Sequence, residues 1–261
     1  MTRREWLMTE QPASRRQARF GQAYRTWLAL KSNRLAMIGL IIVGALILIA
    51  ALAPLIAPYS PVTGGDLRLD RLQPPSWAHP FGTDDQARDI LSRVIWGTQL
   101  TLMVVLLVAV IATPIGLAMG TTAGYFGGWV DVVLMRITDI FLAFPRLILA
   151  LAFASALGPG IENAIIAIAI TSWPPYARLA RAETLTIREA DYIAAIRLQG
   201  AGSARIILGH VTPLCLSSVI VRVTLDMAGI ILTAAGLGFL GLGAQPPQPE
   251  WGAMIAGGRR F

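Results

Sequence analysis

The sequence predicts an all-α, polytopic membrane protein, and three observations support this prediction. The 261 residues are 55% hydrophobic and only 14% charged, whereas soluble domains contain about 25% charged residues. The mean hydropathy is +0.60. Several apolar runs reach the ~20 residues that a helix needs to cross a bilayer, and they are too long and continuous for the alternating strands of a membrane barrel. We therefore expect a bundle of transmembrane helices, because lipid offers no partner to free backbone groups.

Five apolar segments are predicted to span the membrane. They cover approximately residues 35–57, 100–123, 132–157, 164–179 and 214–237. The third segment contains Pro145, and the fourth contains Trp173, Pro174 and Pro175, so we expect kinks in both. The remaining parts are an N-terminal segment (1–34), a loop (58–99) and a C-terminal core (100–261), which includes a polar loop at 188–213.

The distribution of basic residues predicts the orientation of these spans. The segment 1–34 is rich in cations: Arg3, Arg4, Arg15, Arg16, Arg19, Arg25, Lys31 and Arg34. A second concentration begins at the end of the fourth span and continues to the fifth: Arg178, Arg181, Arg188, Arg197 and Arg205. The loop 58–99 instead balances its arginines with aspartates, of which Asp84, Asp85 and Asp89 suggest a solvated docking face. The positive-inside rule then predicts a cytoplasmic N-terminus and an external loop 58–99.

Composition argues against several other functions. The net charge of +7 does not indicate nucleic-acid binding, because the cations are scattered between apolar runs. The single Cys215 rules out an internal disulfide, and His79 and His210 lack the spacing of metal ligands. We expect this chain to bind no metal or cofactor.

The loop 188–213 carries the strongest functional signal. Residues 189–199 are predicted to form a short amphipathic helix with Tyr192, Ala195 and Ile196 on one side. Gly200 then breaks this helix, and a second short helix leads into the fifth span, whose first turn suits Pro213. Such a helix-turn-helix knob with small side chains would let another protein approach closely, although an ordinary interfacial helix is the alternative.

The motif Ala194-Ala-Ile-x-x-x-Gly200, followed after nine residues by His210-Val-Thr-Pro213, resembles the coupling loop of ABC importer permeases. The family consensus is Glu-Ala-Ala, three residues, Gly, nine residues, Ile-x-Leu-Pro. This sequence keeps three consensus residues, Ala195, Gly200 and Pro213. It departs from the consensus at four others, Ala194, Ile196, His210 and Thr212.

Three further segments resemble dipeptide, oligopeptide and nickel permeases, and they are most similar to the C-type subunit of that class. They are residues 79–93, residues 131–159 with Met135-Arg-Ile-Thr-Asp139, and residues 237–254 with Leu237-Gly-Phe-Leu-Gly-Leu-Gly243. The resemblance implies the helical bundle of a type I importer permease. Family members usually have six spans, and we expect the sixth to be missing after Phe261.

The resemblance also implies partners and a site. The expected partners are a second homologous permease subunit, cytoplasmic ATPase subunits that use ATP and Mg²⁺, an external solute-binding protein and the lipid of the bacterial inner membrane. The substrates would be peptides or similar small solutes, with nickel complexes as a further possibility. The residues expected to dock on the ATPase are Tyr192, Ala194, Ala195, Arg197, Gly200, Ala201, Arg205, His210 and Pro213.

The chain itself is not expected to be an enzyme. It has no phosphate-binding Gly-x-x-x-x-Gly-Lys-Ser/Thr loop, and Lys31 is its one lysine, so ATP hydrolysis must take place on a partner. An ion-coupled secondary transporter is the alternative function, but such proteins usually show internal repeats, and none is evident.

Charged residues within the predicted spans are candidates for the translocation path, because a charge at membrane depth usually faces a cavity or a partner. We select the charged residues Asp139, Arg146, Arg222 and Asp226, together with Trp173 beside the prolines of the fourth span. The i, i+4 spacing of Arg222 and Asp226 predicts a pair on one helix face. A structural ion pair between helices is the alternative explanation for these charges.

Overall fold

The structure is a computed structural model that describes residues 14–259, and helices account for most of them. Residues 1–13, with Arg3 and Arg4, and residues 260–261, with Phe261, lie outside the described residues. The chain divides into two compact units, Met1–Leu52 and Ala53–Phe261. No strand occurs within 14–259, in agreement with the predicted all-α class.

The first unit contains α1 (Arg15–Ser32) and most of α2 (Arg34–Ile56). The second contains α3 (Ile90–Phe126), α4 (Gly128–Ala143), α5 (Arg146–Leu157), α6 (Ile161–Ser172), α7 (Pro174–Ile187), α8 (Asp191–Leu198), α9 (Ser203–Ile206), α10 (Thr212–Phe239) and α11 (Trp251–Gly258). A π-helical turn, Ile207–Val211, connects α9 to α10.

Within residues 14–259, three helical stretches are long and apolar enough to cross a membrane: Arg34–Ile56, Ile90–Phe126 and Ser203–Phe239. The pair α4 and α5 makes a fourth if it counts as one span, although the two axes differ by 94°. Pro145 accounts for this break, because a residue before proline avoids the helical region and Phe144 is extended, with φ −100° and ψ 143°. The segment predicted as the fourth span is divided at Trp173 between α6 and α7.

The first long helix of the second unit begins earlier than the sequence predicted. It starts at Ile90 rather than near residue 100, so it takes its first turns from the predicted loop 58–99. Asp89 caps this end: its Oδ2 accepts hydrogen bonds of 2.7 Å from both the backbone N–H and the hydroxyl of Ser92. An aspartate that satisfies free N–H groups in this way is a strong helix start signal.

The helices α3 and α7 meet along a glycine seam formed by Gly116, Gly120 and Gly124. An ideal Cβ on Gly120 would lie 2.7 Å from the Cβ of Ala180, and one on Gly124 would lie 2.7 Å from the Cβ of Thr184. The i, i+4 spacing places all three glycines on one face of α3. Small residues of this kind let helix backbones approach closely within a membrane.

After Gly243, the C-terminal segment folds back onto the start of α3. Trp251 donates its indole N–H to the carbonyl of Val94 at 3.2 Å, and Arg93 donates to the carbonyl of Pro247 at 3.1 Å. The carboxylate of Glu250 caps α11 by accepting from the N–H groups of Gly252 and Ala253. These contacts hold the segment 244–258 against the beginning of the first long helix of this unit.

Candidate functional site

The predicted coupling loop forms two short helices, α8 and α9, joined by a tight turn. Gly200 has a φ of +82°, which glycine adopts without the penalty that a Cβ imposes. Its N–H bonds to the carbonyl of Arg197 at 2.9 Å, and the N–H of Ala201 bonds to that of Ile196 at 3.3 Å. This is the Schellman arrangement, which satisfies the last carbonyls of a helix. The backbone of the turn therefore requires the glycine of the motif.

The loop is anchored by Ile193 and Ile206, which are both fully buried. Tyr192 is 44% exposed and Leu198 is 89% exposed. The predicted apolar side of Tyr192, Ala195 and Ile196 is therefore wrong: Ile193 points inward and the first two face out. In a helix of only two turns, the spacing of three residues does not determine which side of the helix packs against the rest of the protein.

The other predicted docking residues differ in exposure. Ala194, Ala195, Arg197, Gly200, Arg205 and Pro213 are exposed, whereas Ala201 and His210 are half-buried. His210 lies in the π-helical turn, and Pro213 lies in the first turn of α10, as predicted. Three of the exposed residues are small, Ala194, Ala195 and Gly200, and they lie in or directly after the same short helix as the exposed Tyr192 and Leu198.

Two arginines tie this loop to the end of α3. The guanidinium of Arg197 lies 5.2 Å from the ring centroid of Tyr125, a cation–π distance, and Arg188 donates to the carbonyl of Gly124 at 2.9 Å. On the other side, α9, the π-helical turn and α10 form one helical stretch, Ser203–Phe239. The loop is therefore continuous with α10 at its C-terminal end.

Further along α10, Asp226 is the centre of a polar cluster defined by Arg146, Ser172, Tyr176 and Asp226. Arg146 Nη1 donates to Asp226 Oδ1 at 2.8 Å, and the hydroxyl of Tyr176 donates to Asp226 Oδ2 at 2.9 Å. Arg146 also donates to the hydroxyl of Ser172 at 2.9 Å. The predicted pair of Arg222 with Asp226 is wrong: Arg222 is exposed, and the carboxylate faces neighbouring helices instead.

The polar cluster lies where two helices are interrupted. Arg146 opens α5 just after the Pro145 break, Ser172 closes α6, and Tyr176 lies in the first turn of α7 after Trp173. Trp173 itself is buried and packs edge-to-face on Phe141, with ring centroids 5.4 Å apart. The carboxylate of Asp226, on the continuous α10, therefore links the two helix interruptions through its bonds to Arg146 and Tyr176.

A polar cleft of about 510 Å³ separates α4 from α7. Arg181 holds the carboxylate of Asp131 through two hydrogen bonds, one of 2.6 Å, and Arg178 lies 2.7 Å from Asp139. Arg178 and Asp139 are about half exposed, so solvent weakens this pair. Asp139 thus borders an open polar space, whereas Asp226 is largely enclosed.

The aspartates of the loop before α3 do not form the solvated face that the sequence suggested. Asp89 is buried and lies 2.9 Å from the ring nitrogen of His79. Asp84 pairs with Arg88 at 2.8 Å, and Arg88 and Arg93 are both more than 90% buried. These groups fix the loop internally, because buried charges need partners.

Comparison with known proteins identifies the family. Residues 112–258 match the binding-protein-dependent transport system inner membrane component family. The chain belongs to this family. Residues 21–75 also match the N-terminal transmembrane domain of oligopeptide transport permease C, so the predicted resemblance is confirmed, and the chain is a multi-pass inner-membrane component of a transport system.

Several permease proteins are similar to this chain over most of its length. The dipeptide transport permease DppC of Alkalihalophilus pseudofirmus is 46% identical, over 89% of this chain and 76% of its own length. The probable D,D-dipeptide permease DdpC of Escherichia coli is 43% identical, over 94% and 82%. The glutathione permease GsiD of Pectobacterium atrosepticum is 40% identical, over 88% and 76%.

Solved structures of the MetNI methionine ABC transporter, in inward-facing conformations, share the fold. One has a TM-score of 0.52 at 20% identity and covers 64% of this chain and 86% of its own. Another has a TM-score of 0.50 at 22% identity and covers 58% and 76%. These similarities agree with the predicted fold of a type I importer permease.

Sequence reasoning missed several members of the site. Tyr176 and Ser172 are uncharged and carried no signal of membrane-depth pairing, and Leu198 was one of several apolar residues in a short amphipathic helix. The glycine seam had a usable signal, since three glycines at i, i+4 and i+8 indicate a close helix contact. Within the described residues, no group of three potential metal ligands comes together.

Proposed function

We propose that this chain is one of two permease subunits of an ATP-driven importer for short peptides. The relatives named for dipeptide and glutathione transport support the substrate class. Nickel complexes are an alternative substrate within the same class of importers. The partners we propose are a second, homologous permease, cytoplasmic ATPase subunits that bind ATP and Mg²⁺, and an external solute-binding protein.

The observation that carries this proposal is the loop between α7 and α10. It presents an exposed surface around Ala194 and Ala195, its turn is fixed at Gly200, and it continues into α10 without an extended break. A cytoplasmic ATPase that binds Tyr192, Leu198 and the small residues between them would push on the end of a transmembrane helix. We place this loop and the N-terminus on the cytoplasmic side, as the basic residues predict.

The polar cluster would be the part of the chain that responds when the ATPase displaces α10. Asp226 moves with α10, and through Arg146 and Tyr176 it is bonded to the first turns of α5 and α7, next to both helix interruptions. Interrupted helices that border a transport pathway are typical sites of gating motion. We propose that Asp226 and Arg146 transmit motion, with Trp173 as a buried support, and that Asp139 and Arg222 face the substrate path.

Uptake into membrane vesicles tests the proposed function. We expect vesicles with this permease, its partner subunits and the binding protein to accumulate a radiolabelled dipeptide when ATP is supplied, and to continue after a protonophore abolishes the proton gradient. An ion-coupled secondary transporter would show the opposite pattern, with uptake by this chain alone that stops when the gradient is lost. Uptake of nickel complexes but not of dipeptides would correct the substrate class.

A further inference from the structure

The N-terminal helix α1 carries a concentration of positive charge that the transport function does not use. It contains Arg15, Arg16, Arg19, Arg25 and Lys31, and no acidic residue occurs in residues 14–34. Its N-terminus is capped by Ser14, whose hydroxyl accepts from the N–H of Gln17 at 3.1 Å. The charge is therefore displayed on a regular helix rather than on an irregular tail.

Two of these cations share a face with two exposed aromatic rings. Arg16, Phe20, Trp27 and Lys31 follow one another at i, i+4, i+11 and i+15, which aligns them along one side of a helix with 3.6 residues per turn. Phe20 is 62% exposed and Trp27 is 46% exposed, and Arg16 and Lys31 are exposed as well. We call this row of four residues the basic aromatic stripe.

The stripe lies next to a membrane span. The single residue Asn33 separates α1 from α2, and its extended backbone, with φ −96° and ψ 107°, ends the first helix. Its side chain accepts from the N–H groups of Leu35 and Ala36 at 3.1 and 3.2 Å, which starts α2. Because α2 is the most apolar candidate span, the end of α1 must lie at a membrane surface.

We infer that α1 binds the headgroups of acidic phospholipids through the basic aromatic stripe. Phe20 and Trp27 would enter the interfacial region, which aromatic rings prefer, while Arg16 and Lys31 would contact lipid phosphates from either end. Lipid is favoured over an acidic protein as the occupant, because the exposed rings adjoin a membrane span and amphipathic basic helices of this kind lie in the interface. The inference does not depend on which solute is transported.

A lipid-quenching experiment on the assembled transporter tests this inference. A fluorophore is placed at Ala23→Cys on the exposed side of α1; the native Cys215 is buried and remains unlabelled. The complex is reconstituted in phosphatidylcholine bilayers that contain equal small fractions of nitroxide-labelled phosphatidylglycerol or nitroxide-labelled phosphatidylcholine. We expect stronger quenching by the acidic lipid, and less difference between the two lipids at high salt.

The double variant Arg16→Gln/Lys31→Gln should lower the preference for phosphatidylglycerol by about fivefold for each cation removed, since each contributes about 1 kcal/mol near an acidic surface. The matched control Arg68→Gln/Arg71→Gln loses the same charge from exposed loop positions and should keep the preference. Equal quenching by both lipids in the parent protein would overturn the inference. So would unchanged quenching in the double variant together with loss of a co-purifying protein, which would identify the stripe as a protein contact.

Discussion

Arg146 Nη1 lies 2.8 Å from Asp226 Oδ1, and this pair joins the first residue after the Pro145 break to the middle of the continuous helix α10. The side chains are 26% and 15% exposed, and each is also bonded to a hydroxyl group, Arg146 to that of Ser172 and Asp226 to that of Tyr176. Removing one partner of such a pair lowers the free energy of unfolding by more than the pair contributes on balance, because the remaining charge stays buried without a partner.

Replacing Asp226 with Asn should therefore impair both stability and transport. The amide keeps the shape but removes the charge opposite Arg146, and we expect a loss of about 1–3 kcal/mol in stability. Thermal unfolding of the purified complex and dipeptide uptake are the two measurements. Tyr176→Phe serves as the matched control: it removes one hydrogen bond to the same carboxylate and should cost only about 1 kcal/mol. Full transport in Asp226→Asn with normal stability would contradict a role for the pair.

A larger side chain in the glycine seam should separate α3 from α7. At Gly120, a Cβ would already lie 2.9 Å from the backbone nitrogen of Arg181, which cannot move without displacing α7. We expect Gly120→Leu to lower the stability of the complex by about 1–3 kcal/mol or more, the usual cost of overpacking. Gly44→Leu is the control, because a Cβ on Gly44 meets nothing within 4 Å. Similar melting temperatures for both variants would show that the seam is less tight than described.

At Gly200 the requirement is for backbone conformation rather than space. No atom lies within 4 Å of an added Cβ, but the φ of +82° is unfavourable for a branched side chain. Asn adopts this region more readily than other residues. We therefore expect Gly200→Asn to retain most transport, whereas Gly200→Val should lose it through distortion of the turn; initial rates of peptide uptake distinguish the two. Equal activity would mean that the turn geometry is unimportant.

Burial raises the pKa of the Glu250 carboxyl above its usual value, although two backbone N–H groups partly offset the effect. In the pH range between the unfolded and the raised folded pKa, the folded protein binds more protons than the unfolded chain. Stability from this group is therefore present below that range and falls as the pH rises through it. Melting temperatures measured from mildly acidic to neutral pH should show this decline. The variant Glu250→Gln should remove this part of the decline, and a parallel pH curve in the variant would contradict the assignment.

Much of the fold was predictable because its signals are local. The apolar run before Ile56 and the prolines at 145 and 174 fix helices and breaks through backbone chemistry alone, and the start at Ile90 could have been recognised from the cap at Asp89. The polar cluster was harder to predict. Arg222 and Asp226 share a helix face by spacing, but Asp226 lies 2.8 Å from Arg146, 80 residues earlier, and this pairing depends on how three other helices pack. The burial of Ile193 likewise follows from tertiary packing, not from the period of a two-turn helix.

The measurement that tests the central claim most directly is co-purification of the ATPase with a tagged chain that carries Ala195→Trp. Ala195 is exposed on α8, so the bulky ring should leave the fold intact and obstruct only a partner. We expect the ATPase to be reduced by about tenfold or more, equivalent to at least ~1.4 kcal/mol, while the second permease is retained. Ala78→Trp, at an exposed position in the loop before α3, should leave both partners bound. If Ala195→Trp retains the ATPase and transports normally, the loop between α7 and α10 is not where the ATPase acts.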